Sequence, residues 1–339
     1  TAMQFTALLL TPVSNKSNLN MNLAEAVKKK ARLIGFDLVG ITDASPVDHS
    51  HLDHFTDWLK AGCAAQMLYM HRNLKKRFNP AELLQDAQSV IVVALNYKPP
   101  ETPQPPQDKT EPAGKIAHYA QYRDYHPFIK TRLRQLIDFI SSLAGPAFKF
   151  KICVDSVPLA ERALAERAGL GFIGKNHMLI NPSLGPQLFL GEIIINLKLK
   201  PDKPIESETA CKGCDRCLKA CPTGALDPNG RFDANKCISY LTIEHKDNIP
   251  HDLAPKIEDR LFGCDECVKA CPYYTKAPAC KNKLFTFYPG RAAVNLNHVL
   301  NLTLDTFQTE FADSVIDRLG LELLKRNART CLENFRNPI

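Results

Sequence analysis

A chain of 339 residues with 45% hydrophobic and 23% charged residues has an ordinary globular composition and enough length for two or three domains. No apolar run approaches the ~18 residues that a membrane-spanning helix requires, and we find neither a basic-led secretory signal nor a twin-arginine pair. The net charge of +7 suits an anionic partner but does not establish one.

The first part of the chain predicts helices and one strand after an irregular start. We expect residues 1–21 to be disordered or in part foreign to the native protein. A helix is predicted over residues 22–33 with Asn22 as its cap, followed by a strand over 36–42 and a helix over 53–61.

Two basic runs lie in this region. The first comprises Lys28, Lys29, Lys30 and Arg32, and the second comprises Arg72, Lys75, Lys76 and Arg77. Solvated helix faces and a nucleic-acid contact explain such runs about equally well on composition alone.

Strands and helices alternate up to about residue 200. The apolar, β-branched residues 89–97 are the best candidate for a buried strand, and the proline-rich residues 98–114 predict an exposed loop. The other elements predicted are a helix over 127–143, a strand over 148–154, a helix over 158–168 with Pro158 in its first turn, and paired strands at 177–181 and 187–197. This alternation predicts an α+β fold in which helices cover a mixed sheet.

The cysteines are the strongest signal in the chain. CKGCDRCLKACP, residues 211–222, has cysteines separated by two, two and three residues and then a proline, which is the bacterial ferredoxin pattern for [4Fe–4S] clusters. Residues 213–222 and 263–272 agree at eight of ten positions, so a second cluster is predicted. Paired Cys₄ zinc sites and a disulfide framework are the disfavoured alternatives, because the spacing repeats and the chain is long.

The cluster ligands follow from a crossover, since the fourth cysteine of each run ligates the other cluster in two-cluster ferredoxins. The predicted ligands of the first cluster are Cys211, Cys214, Cys217 and Cys271. Those of the second are Cys264, Cys267 and Cys221. The second set lacks one ligand because Leu261 replaces the run's first cysteine. Cys237 and Cys280 are the nearby candidates, and we favour Cys237.

Two motifs are interpreted as incidental. GLGFIG, residues 169–174, fits the dinucleotide fingerprint, but a helix precedes it and a strand follows, so we predict a helix end and a tight turn instead. Asp124 and His126 weakly match a cobalamin-ligand motif whose glycine is replaced by Ile129.

Asp155 is the most interesting acid, because it follows a predicted strand and precedes a predicted helix. A carboxyl group enclosed there would have its pKa raised by burial and would donate a proton at neutral pH. A helix-capping or turn aspartate is the plainer interpretation, and the local residues alone favour it.

Several segments together resemble the epoxyqueuosine reductase family, which is related to the reductive dehalogenases. They are VDSVPLAERALAERAGLGFIGKN (154–176), the two cysteine runs, DANKCISYLTIE (233–244) and LGLELLKRNA (319–328). The resemblance extends from about residue 22 to the C-terminus. The chain looks like a short form without the helical-repeat tail of longer members.

The resemblance implies a cytoplasmic oxidoreductase that uses cobalamin and two [4Fe–4S] clusters to reduce epoxyqueuosine at the wobble position of tRNA. It implies a cobalamin-binding, reductive-dehalogenase-like domain over 22–200, a ferredoxin-like domain over 201–288 and a helical segment over 289–339. Asp155 matches the family's proton donor, and Cys237 matches its separate cluster ligand. The residues implied to line the cobalamin pocket are Arg72, Tyr119, Asp155, Asn176, Leu179 and Leu190.

The implied partners are a tRNA anticodon loop and an unidentified electron donor, with no membrane and a monomeric chain. A reductive dehalogenase of a small organohalide is the runner-up, although it would give the basic runs no purpose. A non-catalytic ferredoxin-type electron carrier is the third hypothesis, and the long N-terminal domain argues against it. The C-terminal segment predicts a helical hairpin from residues 305–311 and 314–327.

Overall fold

A computed structural model describes residues 16–101, 111–206 and 210–337, with side chains from residue 23 onward. Residues 1–15, most of the stretch expected to be disordered, lie outside the described residues. No helix in the described ranges is long and apolar enough to cross a membrane.

The described chain contains nine short strands in three sheets. The strands are β1 Leu38–Asp43, β2 Ser89–Asn96, β3 Ala113–Ile116, β4 Phe150–Cys153, β5 Phe172–Ile173, β6 Leu179–Ile180, β7 Leu188–Ile195, β8 Arg260–Phe262 and β9 Ala293–Asn295. The central sheet has the order β1-β2-β7-β4 and is antiparallel throughout. A smaller sheet, β8-β3-β9, combines one parallel and one antiparallel pair.

Helices surround these sheets. They are α1 Lys16–Ile34, α2 His49–Lys60, α3 Leu74–Phe78, α4 Tyr125–Ala144, α5 Glu161–Arg167, α6 Arg216–Lys219, α7 Ile238–Ile243, α8 Ala254–Ile257, α9 Glu266–Lys269, α10 Pro272–Lys276, α11 Leu296–Asn301, α12 Leu304–Phe311 and α13 Leu321–Arg336. The predicted α+β class, with helices covering sheets, is confirmed.

Strands β2 and β7 form the buried centre of the main sheet, and every residue of both strands is buried. Alternate β2 side chains enter two different cores: Ile91 and Val93 pack with α1 and α4, whereas Val90 and Val92 pack with α5. Both faces of the sheet are therefore covered, which explains why residues 90–95 are continuously apolar.

The predicted pairing of residues 177–181 with 187–197 is wrong. Strand β6 pairs with β5, and β7 pairs along its whole length with β2 and also with β4. The eight-residue register between β2 and β7 satisfies more backbone groups, and buries more apolar surface, than a short hairpin would.

Several predicted helices also have different bounds, and α2, for example, begins at His49 rather than at residue 53. Helix α1 begins at Lys16, so Asn22 lies inside it rather than capping it. Helix α5 begins at Glu161, because residues 155–160 form a loop whose first N–H is accepted by the Glu161 carboxylate. A single helix over 314–327 does not form, because Gly320 has a φ of 83° and separates a short 3₁₀ helix from α13.

The GLGFIG segment is a helix end and turn, as predicted. Helix α5 ends at Arg167, Gly169 adopts a left-handed φ of 76°, and β5 follows. A Cβ atom at Gly169 would lie 2.4 Å from the Lys203 carbonyl oxygen, so this turn also requires glycine for space.

The C-terminal helix is attached to the cysteine-rich region by a buried amide. Asn327 is fully buried, and its Nδ2 donates to the carbonyl oxygens of Thr242 at 2.8 Å and Leu261 at 3.0 Å. Strands from all three predicted domains meet in the β8-β3-β9 sheet beside it. The predicted domain boundaries themselves stay a prediction.

We expect Asn327→Ala to destabilise the chain by about 2–4 kcal/mol, because it leaves two buried carbonyl groups without donors. The measurement is the thermal unfolding midpoint under anaerobic conditions. Asn334→Ala is the matched control: Asn334 on the same helix donates to the carbonyls of Ala254 and Glu258, but its site is open to water. Equal shifts in both variants would contradict the role assigned to Asn327.

Candidate cluster sites and a neighbouring acid site

The first group of cysteines surrounds a cavity of about 220 Å³. Its sulfur-bearing residues are Cys211, Cys214, Cys217 and Cys271. The last cysteine of the second run therefore joins the first three of the first run, which is the arrangement that the crossover predicts. Lys175 and Lys276 also line this cavity and place positive charge beside it.

The second group of cysteines is recognised because several of its thiols raise the pKa of a neighbouring thiol. Burial and then the charges of Cys264, Cys237 and Cys221 raise the pKa of Cys267. Burial, with a further contribution from Cys237, raises the pKa of Cys264 to about 12. Four cysteines from three segments therefore lie close together.

Cys280, the other candidate for this set, lies elsewhere. It packs against the core of the central sheet, and Asp37 and Tyr122 are the titratable groups that influence its pKa. Leu261 is fully buried in the core below α13. The arrangement therefore favours Cys237 over Cys280.

Backbone groups already favour a charged sulfur at Cys221. Its Sγ accepts from the Ala225 N–H at 3.2 Å. Burial alone would raise the thiol pKa, but hydrogen bonds from Thr223 and the Ala225 backbone outweigh burial and lower it. Hydrogen bonds to the ligating sulfurs are one of the features that set cluster reduction potentials.

The sulfur-rich groups suit clusters, which are larger than one ion. Among the described residues, no three or more His, Cys, Asp or Glu side chains are placed to hold a single metal ion. Both groups are also held to the rest of the chain. Lys175 Nζ donates to the Cys214 carbonyl at 2.8 Å, and Asn176 Nδ2 donates to the Cys267 carbonyl at 3.2 Å.

Asp155 lies just beyond β4 in a left-handed conformation, with a φ of 53°. Its backbone N–H donates to Glu161 Oε1 at 2.7 Å, which helps to hold this unusual conformation. Its side chain is 59% exposed, and its Oδ2 lies 3.1 Å from His126 Nε2. The carboxylate thus contacts His126, interacts with the Tyr125 hydroxyl and keeps an open side.

His126 connects Asp155 to a second acid and a cation. Its Nδ1 lies 2.7 Å from Asp124 Oδ1. Arg318, from the 3₁₀ helix Val315–Arg318, places Nη1 3.0 Å from His126 Nε2 and Nη2 2.9 Å from Asp124 Oδ2. Four side chains from three distant segments therefore form one network.

The prediction that burial raises the pKa of Asp155 is wrong. The hydrogen bond with His126 is the largest influence and lowers the pKa, and burial opposes it without overcoming it. The physical reason is that the side chain is mostly open to solvent while a basic ring contacts it. Burial disfavours charge on His126, but hydrogen bonds to Asp124 and Asp155 outweigh burial and raise its pKa.

Two neighbouring acids lie behind this loop. Glu192 on β7 is fully buried, and its carboxyl group faces that of the half-buried Glu161. Burial and then the charge of Asp155 raise the pKa of Glu161 to about 7, and burial together with Glu161 raises that of Glu192. The pair therefore retains protons to unusually high pH.

Aromatic side chains form another wall. The Tyr125 ring stacks on His126 with ring centroids 4.0 Å apart and on Phe189 at 4.1 Å. Burial, followed by the charges of Glu244 and Asp155, raises the pKa of Tyr69 to about 12. These phenols stay neutral near physiological pH and are able to donate hydrogen bonds.

The five other residues carried over as cobalamin contacts are placed differently from one another. Arg72 is exposed after the 3₁₀ helix Leu68–His71, and Tyr119 is half-buried. Asn176 is buried beside the second cysteine group. Leu179 and Leu190 lie in the core below α5 and are only 3% and 9% exposed.

Sequence reasoning missed four members of the acid site. Asp124 and His126 were set aside with an incomplete cobalamin motif. Glu192 carried a usable signal, because a lone acid inside an apolar strand run is unusual. Arg318 carried none, because nothing local connects it to residues almost two hundred positions earlier.

Comparison with known proteins agrees with this arrangement. The family model "Epoxyqueuosine reductase QueG, DUF1730" matches residues 77–156, and the model "4Fe-4S double cluster binding domain" matches residues 210–274. The epoxyqueuosine reductase of Pseudomonas aeruginosa is 41% identical over 257 residues, which cover 75% of this chain and 70% of that one.

Two solved structures are similar along most of the chain. A crystal structure of epoxyqueuosine reductase with an epoxyqueuosine-modified tRNA-Tyr stem loop has a TM-score of 0.87 and 33% identity, covering 94% of this chain and 82% of that one. The Bacillus subtilis epoxyqueuosine reductase, with its catalytic loop swung out of the active site, has a TM-score of 0.85 and 32% identity, with coverages of 94% and 82%.

A double-cluster domain joined to an α+β domain with an acid site defines an iron–sulfur oxidoreductase. The aligned region covers 70% of the Pseudomonas aeruginosa epoxyqueuosine reductase, to which this chain is 41% identical. The chain belongs to the epoxyqueuosine reductase family, whose cofactors are two [4Fe–4S] clusters and cobalamin.

We expect Cys237→Ala to lose one of two clusters, lowering bound iron from about eight to about four atoms per chain. The measurement is iron and sulfide content after anaerobic reconstitution. Cys280→Ala is the control and retains both clusters, because Cys280 lies beside Tyr122 rather than with the other thiols. Full iron in Cys237→Ala together with loss in Cys280→Ala would reverse the assignment.

We expect Glu192→Gln to stabilise the chain at alkaline pH. The folded pKa of Glu161, about 7, exceeds its ordinary 4.5, so the stability linked to the buried pair is present below about pH 4.5 and is lost as pH rises through about 7. The thermal midpoint of the wild type falls over this window, and the variant flattens the fall by removing one charge. The exposed Glu206→Gln is the control. An unchanged pH dependence in Glu192→Gln would show that the pair does not titrate as inferred.

Proposed function

We propose that this chain reduces epoxyqueuosine at the wobble position of tRNA to queuosine. Opening the epoxide to an alkene and water consumes two electrons and two protons, so the site needs an electron supply and an acid. The observation that carries the proposal is the joining of two four-cysteine groups to the domain that holds Asp155.

The electron supply is assigned to two [4Fe–4S] clusters. The first is held by the cysteines that line the 220 Å³ cavity, and the second by Cys221, Cys237, Cys264 and Cys267. Asn176 contacts the backbone of the second group and belongs to the segment assigned to the cofactor pocket. An unidentified donor delivers electrons one at a time.

Cobalamin, when bound, supplies the chemistry that transfers these electrons to the epoxide. Two buried polar atoms, Gln187 Oε1 and Arg77 Nε, lack hydrogen-bond partners among the described residues, which fits a ligand rich in amide groups. The residues assigned to the pocket are Arg72, Tyr119, Asp155, Asn176, Leu179 and Leu190.

Asp155 is assigned the role of acid toward the departing epoxide oxygen. Its open side lets it reach a substrate, and its contact with His126 provides a second proton-bearing group. At neutral pH the low pKa of Asp155 and the raised pKa of His126 mean that the pair carries about one proton. Reaction therefore requires that proton to be on Asp155 when the epoxide opens.

The basic run at residues 72–77 supports tRNA as the substrate carrier. Arg72, Lys75 and Lys76 are exposed, and Arg77 interacts electrostatically with Glu161 beside Asp155. Positive charge at the edge of the site would bind phosphates while an anticodon base enters it. A related epoxyqueuosine reductase has been solved with an epoxyqueuosine-modified tRNA stem loop, which supports tRNA as the partner. A tRNA-modifying role is in turn consistent with a cytoplasmic enzyme.

We expect Asp155→Asn to reduce single-turnover conversion by roughly 10²–10⁴-fold, because the isosteric amide cannot supply the proton. The assay incubates reconstituted, reduced protein with epoxyqueuosine-containing tRNA, with and without cobalamin, and measures nucleosides by mass spectrometry. Iron content, cobalamin binding and tRNA binding are expected to match the wild type.

Asp138→Asn, at an exposed position on α4, is the control and keeps wild-type turnover. Wild-type-like turnover in Asp155→Asn would remove the acid role. Failure of the wild type to convert the tRNA, with both cofactors shown to be bound, would reject the proposed function itself.

A further inference from the structure

His126 Nε2 has two partners that make incompatible demands. Asp155 Oδ2 lies 3.1 Å from it, and Arg318 Nη1 lies 3.0 Å from it. A guanidinium N–H is able only to donate, so the Arg318 contact requires an unprotonated Nε2. A contact with an ionised Asp155 requires the opposite, because a carboxylate only accepts.

The rest of the network positions Arg318 for this contact. Asp124 Oδ1 lies 2.7 Å from Nδ1 and accepts the proton there, so the proton that Arg318 influences is the one at Nε2. Arg318 Nη2 donates to the other oxygen of Asp124 at 2.9 Å, so one guanidinium holds both groups in register. His126 also lies in the first turn of α4, where the helix dipole disfavours an imidazolium.

We propose that Arg318 makes it easier for the shared proton of the Asp155–His126 pair to move from His126 to Asp155: its N–H competes for His126 Nε2 and so favours the neutral Nδ1–H tautomer. The inference rests on the proposed function, in which Asp155 protonates the epoxide oxygen. The step is one proton transfer, in which the N–H bond at Nε2 breaks and an O–H bond at Asp155 Oδ2 forms.

The other groups that face the pair do not replace Arg318 in this role. Tyr125 stacks on His126, and Tyr69 and Tyr119 face Asp155, but all three are neutral phenols with raised pKa values. Glu161 accepts the Asp155 backbone N–H, and Glu192 lies behind it. Among the described residues, Arg318 is the cation that touches both His126 and Asp124.

Arg318 is therefore a positioning residue, and its effect differs from a simple loss of structure. Without its donor the proton is held more firmly on His126, because the imidazolium–carboxylate pair becomes more stable. The fraction of protonated Asp155 falls at neutral pH. The pair also holds its last proton to higher pH, because a neighbouring cation has been removed.

The test is a single-turnover pH–rate profile on the reconstituted, reduced holoenzyme with modified tRNA, from about pH 5.5 to 9. We expect Arg318→Ala to lower the rate at pH 7 about tenfold and to move the alkaline limb up by roughly one pH unit. Arg318→Lys keeps the positive charge but loses the forked pair of guanidinium donors. We therefore expect its alkaline limb to lie at the wild-type pH and its rate to be only partly restored.

A double-mutant cycle identifies His126 as the intermediary. His126→Gln removes the titrating ring. In that background, we expect Arg318→Ala to move the alkaline limb of the pH–rate profile by only a fraction of the shift that it causes in the wild type. Arg134→Ala removes an exposed arginine from α4 and serves as the charge control, with an unchanged profile.

A lower rate with an unmoved or downward-moving limb in Arg318→Ala would overturn the inference and leave the proposed function standing. The inference is also overturned if Arg318→Ala has its full effect in the His126→Gln background. Absence of conversion by the wild type would instead reject the proposed function. Iron and cobalamin contents, measured for each variant, separate these outcomes from cofactor loss.

Discussion

The pairing of β2 with β7 is the constraint on which the acid site depends. Eight consecutive residue pairs bury both strands, and the two faces of the pair then receive different helices. Helix α4, which carries His126, covers one face, and α5, which begins with Glu161, covers the other. Strand β4 joins β7 at its edge with Cys153 opposite Glu192, so the chain reaches Asp155 where these elements converge.

The acidic groups of the site differ in their exposure to solvent, and this difference decides which of them are charged. The Asp155 side chain is more than half exposed, so water and His126 stabilise its charge. Glu192 is fully enclosed beside Glu161, and burial keeps its proton in place. The loop that follows β4 therefore separates the proton shared by Asp155 and His126, on its open side, from the proton retained by Glu192 on its buried side. The hydrogen bond from the Asp155 N–H to Glu161 connects the two sides.

The C-terminal segment contributes to both centres. Asn327 on α13 donates hydrogen bonds to the carbonyls of Thr242 and Leu261, near the second cysteine group. Arg318, in the 3₁₀ helix that precedes α13, contacts His126 in the acid site. The N–H of Asp124 also donates to the Asp313 carbonyl at 2.7 Å. The segment after residue 289 is thus part of the functional unit rather than an appendage, which local pattern alone did not indicate.

Features that depend on spacing and periodicity could be predicted from the residues alone. The cysteine runs, the buried strand at residues 89–97, the helix end within GLGFIG and the α+β class all follow from local pattern. The strand partner of β7, the break at Gly320, the direction of the Asp155 pKa shift and the position of Arg318 were decided only by tertiary structure. These depend on groups far apart in the chain, because pairing registers and electrostatic fields are set by distance in space rather than by distance along the sequence.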